Sequence, residues 1–161
     1  ENTGNMRKIK ILFVCHGNIC RSPMAEFMFK DITARRGIAK EFEIASAATS
    51  TEEIWNGVGN PVYPPAKAEL ARHGIGCEGK RAVQLKREDY DHYDWLIGMD
   101  SMNMRNIERM TGHKGGKIRK LLTFAGEDGD VADPWYTGDF GRTWRDIERG
   151  LDGFLKYLGF E

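Results

Sequence analysis

The chain has 161 residues, enough for a single domain with a substantial hydrophobic core. Hydrophobic residues make up 40% of the sequence, as in ordinary folded proteins, and the formal net charge is zero. The balanced charge excludes the footprint of a general nucleic-acid-binding protein, and no apolar run approaches the length of a membrane span. We expect one domain over residues 6–161 that binds neither nucleic acid nor membrane, after a polar tail at 1–5 that is disordered or left from expression.

The first half of the chain alternates between strand and helix patterns. An apolar run predicts a strand over residues 8–14, and a helix follows with Ser22 as its cap and Pro23 at its first position. Gly37 ends that helix. The remaining predictions, in chain order, are a strand at 42–46, a loop at 47–65 and a helix at 65–72.

The second half continues the alternation. The patterns predict a strand at 93–99, a helix at 101–110, a strand at 117–124, a Gly/Asp-rich loop at 125–140 and a helix at 142–158. Gly150 and Gly153 weaken the last helix by about 1 kcal/mol each relative to Ala. Strands that alternate with helices predict a doubly wound parallel sheet, which binds ligands beyond the carboxyl ends of its strands.

The segment after the first strand has the residue types of a phosphate-binding loop. Residues 15–23 are Cys-His-Gly-Asn-Ile-Cys-Arg-Ser-Pro, between a strand and a helix N-terminus that offers backbone N–H groups to an anion. Gly17 permits a positive φ and Asn18 tolerates one, while Arg21 supplies a fork for two phosphate oxygens. The predicted phosphate-binding residues are His16, Gly17, Asn18, Ile19, Cys20, Arg21 and Ser22.

The same segment offers a nucleophile. A cysteine beside a helix N-terminus and an arginine is favoured as the thiolate, so Cys15 could attack phosphorus, with Ser22 bonded to the sulfur as it leaves. The substrate oxygen then needs a proton, and Asp133, in the sequence Asp-Pro-Trp-Tyr, is the candidate acid and later the base for water. A lone cysteine is usually a small buried hydrophobe and a lone Asp-Pro a turn, but the placement of both favours catalysis.

These segments closely resemble the low-molecular-weight protein tyrosine phosphatases. Residues 14–26 match the signature loop and helix start of that family almost residue for residue. Further matches follow in the order and spacing of the family at residues 46–50, 73–75, 99–100 and 133–136. The resemblance implies a three-layer α/β, flavodoxin-like fold with a four-stranded parallel sheet flanked by helices on both faces. It also implies a monomer with no cofactor and no metal.

The resemblance assigns roles to individual residues. It implies Cys15 as the nucleophile, Arg21 as the phosphate clamp and Asp133 as the proton donor, acting through a phosphocysteine intermediate. Loop support is expected from Asn18, Ser22 and Ser46, and the walls of the substrate cleft from Ile19, Trp55, Trp135 and Tyr136. Cys20 is the second loop cysteine, which in this family can pair with Cys15 on oxidation; simple packing is the alternative.

Two positions depart from the family pattern. His16 stands where relatives often have Leu, Thr or Met, and an imidazole at the cleft mouth could change the pH dependence or favour acidic substrates. A solvated side chain is the plainer alternative. Lys80 lies where relatives often have a histidine, so any structural role that the histidine has in relatives is in doubt for this chain.

The predicted substrates are phosphotyrosine-containing proteins or peptides and aryl phosphates, with inhibition by phosphate and vanadate. A protein arginine phosphatase is the main alternative, but those enzymes have Thr where this chain has Ile19, whose apolar wall suits an aromatic ring. An arsenate reductase would need two more relay cysteines, and only Cys77 remains. A phosphotyrosine-binding module without catalysis is the third alternative. Three cysteines in no disulfide pattern favour a cytoplasmic location.

Overall fold

A computed structural model of the protein describes residues 7–160. The predicted tail at 1–5, together with Met6 and Glu161, lies outside the described residues. The central element is a four-stranded parallel sheet in the order β2-β1-β5-β6, formed by Ile9–Cys15 (β1), Phe42–Ala48 (β2), Trp95–Gly98 (β5) and Ile118–Lys120 (β6). β1 is therefore central, and its register pairs Cys15 with Ala48 at the edge where the strands end.

Helices cover both faces of this sheet, which confirms the predicted three-layer α/β fold. One layer contains Arg21–Arg35 (α1), Pro64–Arg72 (α2) and Phe140–Tyr157 (α6). The opposite layer contains Ser101–Thr111 (α4) beside the short helix Asp89–His92 (α3). Side chains of β1 alternate between the two cores, with Phe13 facing α1 and α6 and Leu12 facing α4. No helix within residues 7–160 is long and apolar enough to cross a membrane.

The loop predicted at 47–65 contains a small hairpin that was not predicted. Ile54–Trp55 (β3) pairs antiparallel with Val58–Gly59 (β4). The connecting residues Asn56 and Gly57 have φ angles of 50° and 77°. An Asn-Gly pair with two positive φ angles is the strongest short signal of a two-residue hairpin, so the dipeptide itself could have revealed this turn.

The fourth predicted strand was too long. β6 ends at Lys120, and Leu121–Ala125 form a 3-10 helix that Gly126 closes with a φ of 75°. Leu121 and Leu122 are buried in the core that includes α6 rather than paired in the sheet. A short apolar run suits a strand and a buried helical turn equally well, which explains the error. The predicted loop at 125–140 likewise contains the short helix Pro134–Thr137 (α5).

Gly150 and Gly153 allow α6 to approach this 3-10 segment closely. A Cβ atom at Gly153 would lie 2.1 Å from the backbone oxygen of Phe124, and one at Gly150 would lie 2.4 Å from Cγ of Leu121. Glycine lowers the intrinsic stability of the helix, but here it permits close packing of α6 against the 3-10 segment, which a larger residue would prevent.

We expect Gly153→Ala to lower the free energy of unfolding by about 2–3 kcal/mol, because the clash with the Phe124 carbonyl outweighs the better helix propensity of Ala. Urea denaturation measures the change. Gly141→Ala is the matched control on the same helix, since its Cβ would meet nothing closer than 3.4 Å. The control should be neutral or stabilising by up to about 1 kcal/mol, and equal stability of the two variants would contradict the packing argument.

Candidate active site

The loop between β1 and α1 turns around the sulfur of Cys15. α1 begins at Arg21 with Cys20 at its N-cap, and no side chain caps it, so the predicted capping role of Ser22 is wrong. The Ser22 hydroxyl instead lies 3.0 Å from Cys15 Sγ, and the Ser22 backbone N–H donates to the same sulfur at 3.3 Å. Both groups, with the positive end of the α1 dipole, favour negative charge on the sulfur.

A side-chain network behind the loop fixes its shape. Asn18 has a φ of 59° and is 1% exposed. Its amide nitrogen donates to the hydroxyls of Ser22 at 2.8 Å and Ser46 at 2.9 Å, and its oxygen accepts from the N–H of Val83 at 3.0 Å. Since Ser22 accepts from Asn18, its own hydroxyl proton is free to point at the Cys15 sulfur. The structure thus brings together the three residues expected to support the loop.

The network also includes Glu26 and Lys80, which were not predicted to support the loop. Ser46 donates to the carboxylate of Glu26 at 2.6 Å, and Lys80 Nζ donates to the Ser46 backbone oxygen at 3.0 Å and lies 3.7 Å from Glu26. Burial lowers the pKa of Lys80 from its ordinary value, and Glu26 opposes that shift. Lys80 therefore has a structural partner at the position where relatives often have histidine. Since these residues lie far apart in sequence, no local signal joins them.

Arg21 is buried beneath the loop and is paired with two carboxylates. One guanidinium nitrogen donates to Asp100 at 2.8 Å and to the backbone oxygen of Val131 at 3.1 Å, while the other lies 3.4 Å from Asp133. Burial alone would lower the pKa of Arg21, but Cys15, Asp100 and Asp133 together raise it above its ordinary value. The guanidinium is therefore a fixed cation at the floor of the site.

Asp133 reaches the same place from a distant part of the chain. It is the N-cap of α5, where one carboxylate oxygen accepts from the Trp135 N–H at 3.0 Å and the other faces Arg21. Its side chain is 30% exposed, so it has access to solvent as well as to the site. The predicted acid and the predicted phosphate clamp are thus in contact.

These elements surround a cleft of about 380 Å³. The cleft is lined by Cys15, His16, Gly17, Ile19, Cys20, Arg21, Glu52, Glu53, Asp133, Trp135 and Tyr136. Asn18 and Ser22 lie behind it, in the network described above. Trp55, which was expected to form a wall of the cleft, is not among the lining residues and is 78% exposed on β3. Glu52 and Glu53, from the loop that leads into β3, line the cleft in its place.

Tyr63 joins the two sides of the cleft. Its backbone N–H donates to the Ile19 oxygen at 2.9 Å, and its ring packs against Trp135 with centroids 5.2 Å apart. The phosphate-binding loop and the Asp133 segment therefore share one support. Tyr136 is 84% exposed at the entrance, where its ring is available to a ligand.

His16 lies at the cleft mouth and faces a carboxylate. Its Nε2 atom is 3.1 Å from Glu52, and both side chains are more than half exposed. The aliphatic part of Glu53 packs over Gly17, where an added Cβ would lie 3.2 Å from Glu53 Cγ. The imidazole is thus already paired with an acidic group, which counts against the idea that His16 favours acidic substrates.

Comparison with known proteins supports a single family. The sequence model of the low molecular weight phosphotyrosine protein phosphatases matches residues 10–161. The low molecular weight protein-tyrosine-phosphatase YfkJ of Bacillus subtilis is 38% identical over 151 residues, which cover 91% of this chain and 94% of YfkJ. The chain belongs to the low molecular weight phosphotyrosine protein phosphatase family. The family and enzyme class predicted from the sequence, a hydrolase acting as a protein-tyrosine phosphatase, are therefore confirmed.

Solved structures agree with the fold of this phosphatase. The crystal structure of YfkJ aligns with a TM-score of 0.89 at 36% identity and covers 96% of this chain and 97% of its own. The phosphatase SP-PTP of Streptococcus pyogenes aligns with a TM-score of 0.81 at 37% identity, covering 93% of each chain. DARP, a Drosophila arginine phosphatase, gives a TM-score of 0.84 at 25% identity, with 95% of this chain and 99% of DARP covered.

The other two cysteines of the phosphatase differ chemically from a reactive thiolate. Burial raises the pKa of Cys20 to about 12, and the neighbouring Cys15 and Asp133 add to the rise. Burial also raises the pKa of Cys77, to which Glu78 contributes. Both thiols therefore stay protonated at neutral pH, where a protonated thiol is a poor nucleophile. The redox role of Cys20 stays a prediction.

We expect iodoacetamide to alkylate Cys15, whose sulfur faces two hydrogen-bond donors at the cleft, but not Cys20 or Cys77 in the folded protein at neutral pH. The raised pKa values of Cys20 and Cys77 keep those thiols protonated, and a protonated thiol reacts slowly. Mass spectrometry of tryptic peptides locates the label. Cys15→Ser should abolish labelling and Cys20→Ser should preserve it, whereas urea should expose all three sites. Rapid labelling of Cys20 in folded Cys15→Ser protein would show that the burial argument is wrong.

Proposed function

We propose that the protein hydrolyses phosphotyrosine in proteins and peptides through a phosphocysteine intermediate on Cys15. The observation that supports this most directly is the placement of Cys15, Arg21 and Asp133 around one cleft. Loop N–H groups and the Arg21 guanidinium bind the phosphate oxygens, and the aromatic ring of the substrate lies between Ile19 and the pair Trp135 and Tyr136. Close positioning of the groups and fixed donors lower the barrier.

Catalysis has two steps in this proposal. The Cys15 thiolate attacks phosphorus, the S–P bond forms, and the P–O bond to the phenol breaks while Asp133 gives its proton to the leaving oxygen. In the second step water attacks phosphorus and loses a proton to Asp133, and the S–P bond breaks to release inorganic phosphate and the thiolate. Ser22 donates to the sulfur as it leaves.

Other features of the proposal follow from this chemistry. Inorganic phosphate and vanadate compete for the loop and inhibit the enzyme, and no metal or cofactor takes part. We further propose that residues 6–161 form a single domain that acts as a cytoplasmic monomer. Arginine phosphatase activity remains the alternative, because DARP shares the fold. Ile19 offers no hydroxyl to a guanidinium, and this favours phosphotyrosine.

We expect the protein to hydrolyse a phosphotyrosine peptide in the presence of EDTA, faster than a matched phosphoarginine peptide, with release of phosphate as the measurement. Asp133→Ala should lower kcat/KM for the phosphotyrosine peptide by about 100-fold or more, because a poor leaving group must be protonated. Vanadate affinity should change little in the same variant.

Cys15→Ser is the control for background phosphatase and should be inactive. Unchanged turnover by Asp133→Ala would remove Asp133 from the mechanism. Faster hydrolysis of the phosphoarginine peptide would replace the proposed substrate class by the alternative. Inactivity of reduced wild-type protein on both peptides would refute the proposed function as a whole.

The acidic side chains at the cleft entrance affect which residues are favoured beside the phosphotyrosine of a substrate. Glu52 and Glu53 line the cleft, and the one imidazole at its mouth is paired with Glu52. A substrate with Lys or Arg beside its phosphotyrosine would meet opposite charge there, whereas flanking acidic residues would be repelled. We therefore propose a preference for basic flanking residues.

The double variant Glu52→Gln, Glu53→Gln should reduce the ratio of kcat/KM for basic-flanked to acidic-flanked peptides by about threefold to tenfold, through lost electrostatic attraction. Raising the salt concentration should shrink the ratio in the wild type and much less in the variant. The double variant Glu148→Gln, Asp152→Asn, at two exposed residues of α6, is the charge-matched control and should leave the ratio unaltered. A wild type that prefers acidic-flanked peptides contradicts the proposal.

A further inference from the structure

The peptide groups of Ala132, the residue before Asp133, are held by two side chains of α6. The Ala132 N–H donates to a carboxylate oxygen of Asp146 at 3.1 Å, and its carbonyl oxygen accepts from the Thr143 hydroxyl at 3.0 Å. Thr143 is fully buried and Asp146 is 8% exposed. The Thr143 hydroxyl also lies 3.4 Å from the backbone oxygen of Asp139, but its shorter contact is to Ala132. Buried polar side chains are normally placed to satisfy partners, and here two of them satisfy the N–H and the carbonyl of one residue.

The Asp146 carboxylate is itself fixed in orientation. Its second oxygen lies 3.1 Å from Arg149, one turn further along α6. Arg149 in turn forms two hydrogen bonds to Glu127, at 2.7 and 3.0 Å. These contacts leave Asp146 little freedom to release the Ala132 N–H.

The place of Asp133 in the cleft depends on these backbone contacts, because its one short side-chain hydrogen bond, from the Trp135 N–H at 3.0 Å, stays within its own segment. The contact that reaches across the site, to the nearest guanidinium nitrogen of Arg21, is 3.4 Å long, longer than a strong charge-assisted bond. On the other side, Val131 is tied to the sheet edge by its N–H, which donates to the Met99 oxygen at 2.9 Å. The segment before the acid therefore spans from the sheet to α6, with bonds to both.

We propose that Thr143 and Asp146 are positioning residues for the catalytic acid: they fix the Ala132 peptide and so aim Asp133 at the leaving oxygen. This inference rests on the proposed function. A helix packed as closely as α6 is a rigid support, and a displacement of about 1 Å in a catalytic group can cost about 100-fold in rate. Thr143 and Asp146 touch no substrate and act only through Asp133.

Two substrates with different leaving groups can distinguish a misplaced acid from a general loss of active-site structure. Phenyl phosphate needs protonation of its leaving oxygen, whereas p-nitrophenolate leaves readily without it. We expect Thr143→Val, which removes the hydroxyl at nearly constant volume, to lower kcat/KM for phenyl phosphate by about tenfold or more and for p-nitrophenyl phosphate by less than about threefold. Vanadate affinity should be unchanged, because the phosphate-binding loop is untouched.

Conservative variants provide the matched controls. Thr143→Ser keeps the donor and should restore the wild-type ratio of the two substrates. Asp146→Asn keeps an acceptor for the Ala132 N–H and should be milder than Asp146→Ala. Equal losses with both substrates, or a Ser variant no better than Val, would overturn the proposal.

The Asp133→Ala background gives the decisive comparison. With no acid left to aim, adding Thr143→Val should change kcat/KM for phenyl phosphate by less than about twofold, a strongly non-additive result. A tenfold loss that persists in this background would mean that Thr143 acts through general structure. If Asp133→Ala is slow while Thr143→Val matches the wild type, the positioning role is wrong and the proposed function stands. If Asp133→Ala is as fast as the wild type, both the acid and its positioning are wrong.

Discussion

The side-chain amide of Asn18 is the constraint on which the active-site loop depends most directly. Asn18 is buried and has a left-handed backbone conformation. Both hydrogens of its amide donate to serine hydroxyls, and its oxygen accepts from a backbone N–H. Those contacts leave the Ser22 hydroxyl proton for the Cys15 sulfur. Without them the loop would lose the arrangement in which N–H groups converge on an anion, and buried hydroxyls would lack partners.

The fold was predictable where sequence signals are local and unambiguous. An apolar run followed by the loop motif identified β1 and α1 to within a residue or two, and alternation of elements gave the sheet and its layers. Errors came where one pattern suits two structures. The run Leu121–Ala125 has the composition of a strand but packs under α6 as a 3-10 helix. The hairpin at Asn56 and Gly57 was missed although its turn signal was present.

The site was predictable only in part, for a physical reason. Cys15, Arg21 and Ser22 lie in one short motif, so their proximity follows from the local backbone. The supports of that motif come from elsewhere: Glu26 and Lys80 meet Ser46 only after the sheet forms. Rim residues such as Glu52 depend on the path of a loop, which composition does not determine. Tertiary contacts of this kind leave no periodic trace in a single sequence.

The carboxylate of Asp100 beside Arg21 has a consequence for product release. Because Asp100 already shares the charge of Arg21, a phosphate dianion must compete with this carboxylate for the guanidinium instead of meeting an uncompensated cation. Some of the attraction is thereby offset by repulsion from the same group. The ion pair thus tempers the affinity of the site for free phosphate, and an enzyme that held its product less tightly would clear its cleft sooner for the next turnover.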